Sequence, residues 1–123
     1  MRRVLVIDDH AEIREILRET LEAAGYAVAV AGNGREGLAA QRRQPADLVI
    51  TDTFMPEKEG LETIRELRQQ SPRPKIIAMS GGGGGRLDYL PSAQAFGADR
   101  VIGKPFDCEA MVAAVREMLG ETR

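Results

Sequence analysis

The stretch Val4-Leu5-Val6-Ile7-Asp8-Asp9, near the start of the chain, decides the fold. Four consecutive aliphatic residues are typical of a β-strand that helices cover on both faces, as in a parallel sheet. The strand ends in two acids, and open α/β sheets bind their ligands outside the carboxyl ends of the strands. The stretch therefore predicts a buried strand followed directly by a candidate functional edge.

The rest of the chain repeats this alternation of strand and helix patterns. Apolar residues at helical spacing follow the first strand, and Gly25 stands where a helix C′ residue belongs. Five βα units predict an α/β fold with a parallel sheet and helices on both faces, because each crossover must be right-handed. The patterns place strands at about 4–7, 26–31, 47–52, 75–79 and 100–103, and helices at about 11–24, 35–43, 61–67, 87–96 and 108–119.

Size and composition narrow the class of protein. A chain of 123 residues fits one domain, here residues 1–123, and its net charge of −2 gives no reason to expect a nucleic-acid partner. The single cysteine, Cys108, cannot form an internal disulfide, which suits a reducing compartment. No apolar run approaches the roughly 20 residues that span a membrane. We expect a complete, soluble cytoplasmic protein with no membrane partner.

Charged and hydroxyl residues cluster at the predicted strand ends. Asp8 and Asp9 follow the first strand, Asp52 ends the third, Ser80 the fourth, and Lys104 follows the fifth. Two carboxylates about 4 Å apart repel each other by about 4 kcal/mol at an effective dielectric of about 20, so such a cluster needs cations. Lys104 supplies one charge and Mg²⁺, which prefers oxygen ligands, supplies the rest. A central carboxylate such as Asp52 can act as nucleophile and form an aspartyl-phosphate.

Four motifs follow one another along the chain: Val4-Leu5-Val6-Ile7-Asp8-Asp9, Asp52-Thr53-Phe54-Met55-Pro56 with Gly60, Ser80-Gly81, and Lys104-Pro105-Phe106. Together they resemble the response regulator receiver domain of two-component systems, and the chain is similar to stand-alone chemotaxis-Y-like receivers. The resemblance extends from about residue 2 to residue 119.

The resemblance implies a flavodoxin-like, doubly wound sheet of strand order 2-1-3-4-5 with five helices. It implies transfer of a phosphoryl group to Asp52 from a histidine kinase or a histidine phosphotransfer protein. Direct Mg²⁺ ligands would be Asp9, Asp52 and the backbone carbonyl of Phe54, with Asp8 acting largely through water. A receiver catalyses only its own phosphorylation and dephosphorylation, so the chain is not expected to be an enzyme in the ordinary sense.

The resemblance also assigns the remaining site residues and the output. Ser80 and Lys104 would contact the phosphoryl group, Gly81 would leave access beside it, and Pro105 matches the family's cis-proline position. We expect a monomer or weak dimer that signals to a downstream protein through the face formed by the fourth helix, fifth strand and fifth helix.

Two features depart from the family pattern. The switch aromatic, three residues before the lysine, is Val101 here, so the usual coupling of the hydroxyl residue to an inward-turning ring is absent. The run Gly81–Gly85 predicts a loop that is mobile and that orders or shifts on phosphorylation, because each glycine loses extra backbone freedom when it is ordered.

Other interpretations stay open at this point. A pseudo-receiver would work without phosphorylation, and a Mg²⁺-dependent phosphohydrolase would need a second acid where Phe54 stands. Residues 32–37 match the dinucleotide fingerprint G-x-G-x-x-G, but a fingerprint should follow the first strand of its βαβ unit, and the first predicted strand of this chain ends in acids.

Each candidate site residue also has an ordinary explanation. The pair Asp8-Asp9 could simply cap a helix, Ser80 could start a turn, and Lys104 could be a surface lysine. No role is assigned to the lone His10, and Cys108 is interpreted as buried filler.

Overall fold

The structure, a computed structural model, describes residues 2–52, 59–80 and 97–121, without the side chains of residues 59, 60 and 80. The predicted helix at 87–96 and the Gly81–Gly85 run lie outside the described residues. The elements are β1 (Arg3–Ile7), α1 (Ala11–Ala23), β2 (Ala27–Ala31), α2 (Gly34–Arg43), β3 (Leu48–Asp52), α3 (Glu59–Arg68), β4 (Lys75–Ser80), β5 (Arg100–Gly103) and α4 (Cys108–Met118).

The five strands form one parallel sheet in the order β2-β1-β3-β4-β5, which confirms the predicted flavodoxin-like topology. The described residues contain four of the five predicted helices. None of these helices has both the length and the apolar character that a membrane crossing requires.

The sheet separates two apolar clusters because alternate residues of each strand point to opposite faces. In β1, Val4 and Val6 belong to the cluster under α1 and α4, whereas Leu5 and Ile7 belong to the cluster under α2 and α3. All four side chains are buried. Burial on both faces explains why β1 is continuously apolar instead of alternating with polar residues.

The sequence predicted that Gly25 ends the first helix and that Asp107 begins the last one, and both predictions are confirmed. Gly25 follows α1 with a φ of +102°, a conformation that glycine adopts most readily, and its N–H donates to the carbonyl of Glu22 at 3.0 Å. Asp107 is the N-cap of α4, where its carboxylate accepts a hydrogen bond from the N–H of Glu109. Beside this cap Cys108 is only half-buried, and its sulfur accepts a hydrogen bond from the Thr20 hydroxyl at 3.6 Å.

The glycine-rich segment 32–37 has a structural explanation. Asn33 is the N-cap of α2, accepting a hydrogen bond from the N–H of Glu36 at 2.9 Å, while the Glu36 carboxylate accepts from the N–H of Gly32 at 3.0 Å. A Cβ on Gly37 would collide with the buried side chain of Ile7, so glycine there lets α2 approach β1 closely. The segment follows the second strand, and capping and packing account for its pattern without a dinucleotide.

Tyr26, directly before β2, belongs to a group of contacts between residues near the two ends of the chain. Its hydroxyl donates to Glu121 at 2.7 Å, and Arg2 lies 3.5 Å from the same carboxylate. The Arg116 guanidinium lies 5.9 Å from the ring centroid. Burial of the ring, followed by the hydrogen bond to Glu121 and its negative charge, raises the pKa of Tyr26.

Replacement of Gly37 by alanine tests the packing of α2 on β1. We expect Gly37→Ala to lower the free energy of unfolding by about 1–3 kcal/mol through overpacking, although alanine alone favours a helix. Ile7→Val removes the terminal methyl that the new Cβ would meet first. The double variant should therefore lose less stability than the sum of the single variants in urea unfolding. Strictly additive losses would contradict the close approach.

The Tyr26 hydrogen bond predicts a pH-dependent contribution to stability. A neutral phenol donates to Glu121, whereas a phenolate would repel it. Because the folded-state pKa is raised, the advantage of wild type over Tyr26→Phe should be present below pH about 10, at about 1 kcal/mol, and lost as the pH rises through the folded pKa.

Absorbance titration of Tyr26 in a Tyr89→Phe background, where it is the only tyrosine, measures that pKa directly. Glu121→Gln in the same background should bring the pKa of Tyr26 down, because the negative charge is removed. An unchanged stability difference across pH 8–12, a range chosen around the ordinary tyrosine pKa of about 10, would contradict the role of this hydrogen bond.

Candidate functional site

The strand register brings the candidate residues to one edge of the sheet. Ile7 is paired with Thr51, so Asp8, directly after β1, and Asp52, the last residue of β3, lie at the same level. Ser80, the last residue of β4, is paired with Gly103, which places Lys104 directly after the matching end of β5. Parallel strands thus deliver residues that are distant in sequence to one place.

The Lys104 ammonium group lies between two buried carboxylates. Its Nζ is 3.1 Å from Asp8 Oδ2 and 3.2 Å from Asp52 Oδ2. The side chains of Asp8 and Asp52 are 0% and 1% exposed, and that of Lys104 is 15% exposed. Removing carboxylates from water is costly unless they are paired and hydrogen-bonded, so this lysine is required electrostatically rather than being an ordinary surface residue.

Hydrogen bonds fix both the side chain and the backbone of Asp8. Its Oδ1 accepts from the N–H of His10 at 2.8 Å, its Oδ2 accepts from Lys104, and its backbone carbonyl accepts from the Arg14 guanidinium at 2.9 Å. The N–H of Asp8 donates to the carbonyl of Ala31, which extends the pairing of β1 and β2. These bonds fix the carboxylate at the edge of the sheet.

Asp8 and Asp9 do not cap α1, so the simple capping explanation is wrong. The N-cap is His10, and its side chain makes no capping hydrogen bond among the described residues. The imidazole turns back to the acids instead: Nδ1 is 3.0 Å from Asp8 Oδ1 and 3.1 Å from Asp9 Oδ1. The sequence alone assigns no role to His10, because no local signal distinguishes a histidine that faces the preceding acids from an ordinary residue at a helix start.

The donor set fits a divalent cation. Asp8, Asp9, His10 and Asp52 each offer one ligand atom, and these atoms all lie within 4.8 Å of one another. Asp9 is about a third exposed, so the group opens to solvent on that side. Carboxylate oxygens are the ligands that Mg²⁺ prefers, and it keeps several waters when the protein supplies few ligands.

Several predicted features lie wholly or partly outside the described residues. Phe54 and the side chain of Ser80 are not described, so their predicted roles stay predictions. The Lys104–Pro105 peptide bond is cis, as the resemblance implied. Val101 is half-buried and packs against the cluster under α2 and α3.

Comparison with known proteins gives the family. The response regulator receiver domain matches residues 4–116. The transcriptional regulatory protein CpxR of Klebsiella pneumoniae is 36% identical over 119 residues, which is 97% of this chain and 50% of CpxR. The chain thus spans about half the length of this curated relative.

Solved structures agree over nearly the whole chain. A receiver domain protein from Clostridium thermocellum superposes with a TM-score of 0.86 at 30% identity, covering 98% of this chain and 95% of that one. The chemotaxis response regulator CheY4 of Vibrio cholerae gives a TM-score of 0.84 at 31% identity, covering 96% and 98%. With the acids of β1 and β3 and the lysine after β5 gathered at one edge, the chain belongs to the receiver domain family of two-component response regulators.

Proposed function

We propose that this receiver accepts a phosphoryl group on Asp52 in a Mg²⁺-dependent reaction, from a histidine kinase or a histidine phosphotransfer protein. The observation that carries the proposal is the position of the Lys104 ammonium, 3.2 Å from Asp52 Oδ2 and 3.1 Å from Asp8 Oδ2. Phosphorylation on aspartate and Mg²⁺ binding are typical of the family.

The transfer is a displacement at phosphorus. An oxygen of the Asp52 carboxylate forms a bond to phosphorus while the bond from phosphorus to the imidazole nitrogen of the donor breaks, and the electron pair of that bond returns to the nitrogen. Nucleophile and phosphoryl group are both negatively charged, so positioning and charge neutralisation provide most of the catalysis. Lys104, already beside Asp52, supplies one positive charge without reorganisation.

Mg²⁺ would supply further neutralisation of the phosphoryl oxygens when bound. We assign Asp9, Asp52 and the backbone carbonyl of Phe54 as its direct ligands and Asp8 as a ligand through water. Asp8 suits the indirect role because its two carboxylate oxygens already accept hydrogen bonds from His10 and Lys104. We assign the Ser80 hydroxyl to a phosphoryl oxygen.

The output would be a change in protein contacts. A phosphoryl group adds a charge of about −1.5 to −2, and it shifts a conformational equilibrium only by its different interactions with the two states. We assign the partner surface to β5, α4 and the segment 87–96 that precedes them. Arg100 of β5 and Glu117 of α4 form an ion pair at 2.6 Å on this surface, so the two elements are linked there.

One observation favours a second candidate, a pseudo-receiver that signals without phosphorylation. Val101 lacks the ring that normally couples the phosphoryl site to the signalling surface. The same experiments separate the two candidates, because a pseudo-receiver would not become phosphorylated under any of the conditions below.

Substitution of the proposed acceptor is the first test. Incubation with acetyl phosphate and Mg²⁺ should add one phosphoryl group to wild type, and Asp52→Asn should abolish the addition because an amide is not a nucleophile here. Mass spectrometry of the intact protein and of its peptides measures the extent and the position. Asp47→Asn makes the same change directly before β3, at the end of the strand away from Asp52, where the Asp47 carboxylate accepts a hydrogen bond from the N–H of Arg3, and it should leave labelling intact. Labelling of Asp52→Asn at the wild-type level would overturn the assignment.

Substitution of Lys104 should affect phosphoryl transfer and Mg²⁺ binding differently. Lys104→Met removes a donor to the reacting group, so the labelling rate should fall about 10²-fold or more. Mg²⁺ affinity should not fall, since the variant removes a positive charge next to the metal ligands. Quenched mass spectrometry measures the labelling rates, and calorimetry measures the Mg²⁺ affinity.

Two further variants complete the Lys104 test. Lys104→Arg keeps the charge and should retain more activity than Lys104→Met. Lys75 is the first residue of β4, at the end of the strand away from Ser80, so Lys75→Met should behave as wild type. Loss of Mg²⁺ binding together with labelling in Lys104→Met would mean that the lysine only maintains the fold.

A further inference from the structure

We infer that His10 is a nitrogen ligand of the acidic site, and that it shifts the site's preference from Mg²⁺ toward divalent ions that favour imidazole, namely Co²⁺, Ni²⁺ and Zn²⁺. The inference rests on the proposed function in one respect, that the acidic edge binds a divalent cation. It adds a ligand to the carboxylate set and a metal selectivity to the site.

The position of the ring carries the inference. His10 Nδ1 lies 3.0 Å from Asp8 Oδ1 and 3.1 Å from Asp9 Oδ1. Two ligands that bind one ion at about 2.1 Å and at right angles are about 3.0 Å apart. The nitrogen is therefore spaced from Asp9 Oδ1, a direct ligand on the proposed function, as a neighbouring ligand would be, and the ligand atom of Asp52 lies within the same 4.8 Å group.

The backbone places the ring there without help from helix capping. His10 is the N-cap of α1 and has an extended backbone, with φ −99° and ψ 115°. Its N–H is bonded to Asp8 Oδ1 at 2.8 Å, which ties the residue to the carboxylate that its own side chain faces. The main-chain bond therefore holds the ring at the acids even when Nδ1 exchanges a hydrogen bond for a metal bond.

The solvent exposure of His10 and Asp9 allows Nδ1 to exchange its hydrogen bond for a bond to a metal ion. The His10 side chain is 61% exposed and that of Asp9 is 37% exposed, whereas Asp8 and Asp52 are buried. A cation can reach Asp9 and His10 from solvent, and the buried carboxylate of Asp52 completes the site on the protein side. The competing explanation is that Nδ1 only donates a hydrogen bond to the two acids, in which case it would oppose every cation alike.

Ligand chemistry distinguishes these explanations. Mg²⁺ takes oxygen ligands and gains little from an imidazole, whereas imidazole suits the later transition metals, whose affinities rise toward copper along the series. A nitrogen ligand therefore strengthens the binding of Co²⁺, Ni²⁺ and Zn²⁺ selectively. A hydrogen-bonding imidazole would instead affect Mg²⁺ and Co²⁺ in the same direction.

The test is calorimetric titration of Co²⁺ and of Mg²⁺ into wild type and His10→Ala. Residues that merely hydrogen-bond to metal ligands contribute about 10–100-fold to metal affinity, so loss of a direct ligand should weaken Co²⁺ binding at least about tenfold. Mg²⁺ affinity should stay within about twofold of wild type. Glu12→Gln removes a nearby acid of the first turn of α1 and controls for charge, so it should change both metals in parallel.

A direct readout on wild type needs no variant. His10 is the only histidine of the chain, so a strongly shifted imidazole resonance in the proton NMR spectrum of the Co²⁺ form can come from no other residue. Its absence at saturating Co²⁺, or equal effects of His10→Ala on both metals, would overturn the inference. Acetyl phosphate labelling in Mg²⁺ alone tests the proposed function separately: if His10 binds Co²⁺ but Asp52 is never labelled, the inference stands and the proposed function fails.

Discussion

The structure of the functional edge depends on one electrostatic constraint, the sharing of the Lys104 ammonium by two buried carboxylates. Asp8 directly follows β1 and Asp52 is the last residue of the neighbouring β3, whereas Lys104 follows β5, the edge strand of the sheet. The lysine reaches the acids across the end of β4. Charge pairing thus ties together strands that are not adjacent, in addition to the hydrogen bonds that join adjacent ones.

The same constraint explains why fold and site are encoded in the same short segments. A strand covered on both faces must be apolar along its length, and it can become polar only where it leaves the core. In β1 the change takes place between Ile7 and Asp8, and Asp8 nevertheless remains fully buried. Such a residue requires a cationic partner, so the place where the apolar run of the strand ends is also the place where a charged site forms.

The strands and the residues at their carboxyl ends could be predicted because their signals are local, whereas the strand order was predicted from the resemblance to the receiver family. Gly25 and Asp107 identified helix boundaries for the same reason. His10 could not be predicted in this way. Asp is a better N-cap than His, so propensity favoured the acids as caps, and only the three-dimensional structure shows that the Asp8 carboxylate is bonded to Lys104 and His10 instead. A charge partner 96 residues away overrides a local preference.

The missing ring at Val101 does not by itself separate the acidic edge from the proposed signalling surface. β5 is four residues long, and Lys104 follows its last residue directly. At its other end Arg100 is joined to Glu117 of α4. If a phosphoryl group on Asp52 draws the ammonium away from Asp8, the displacement acts on the backbone of a short strand that is anchored to α4 at its far end. On the proposed function, coupling through the strand itself requires no aromatic side chain, and Val101, packed against the core, would move with it.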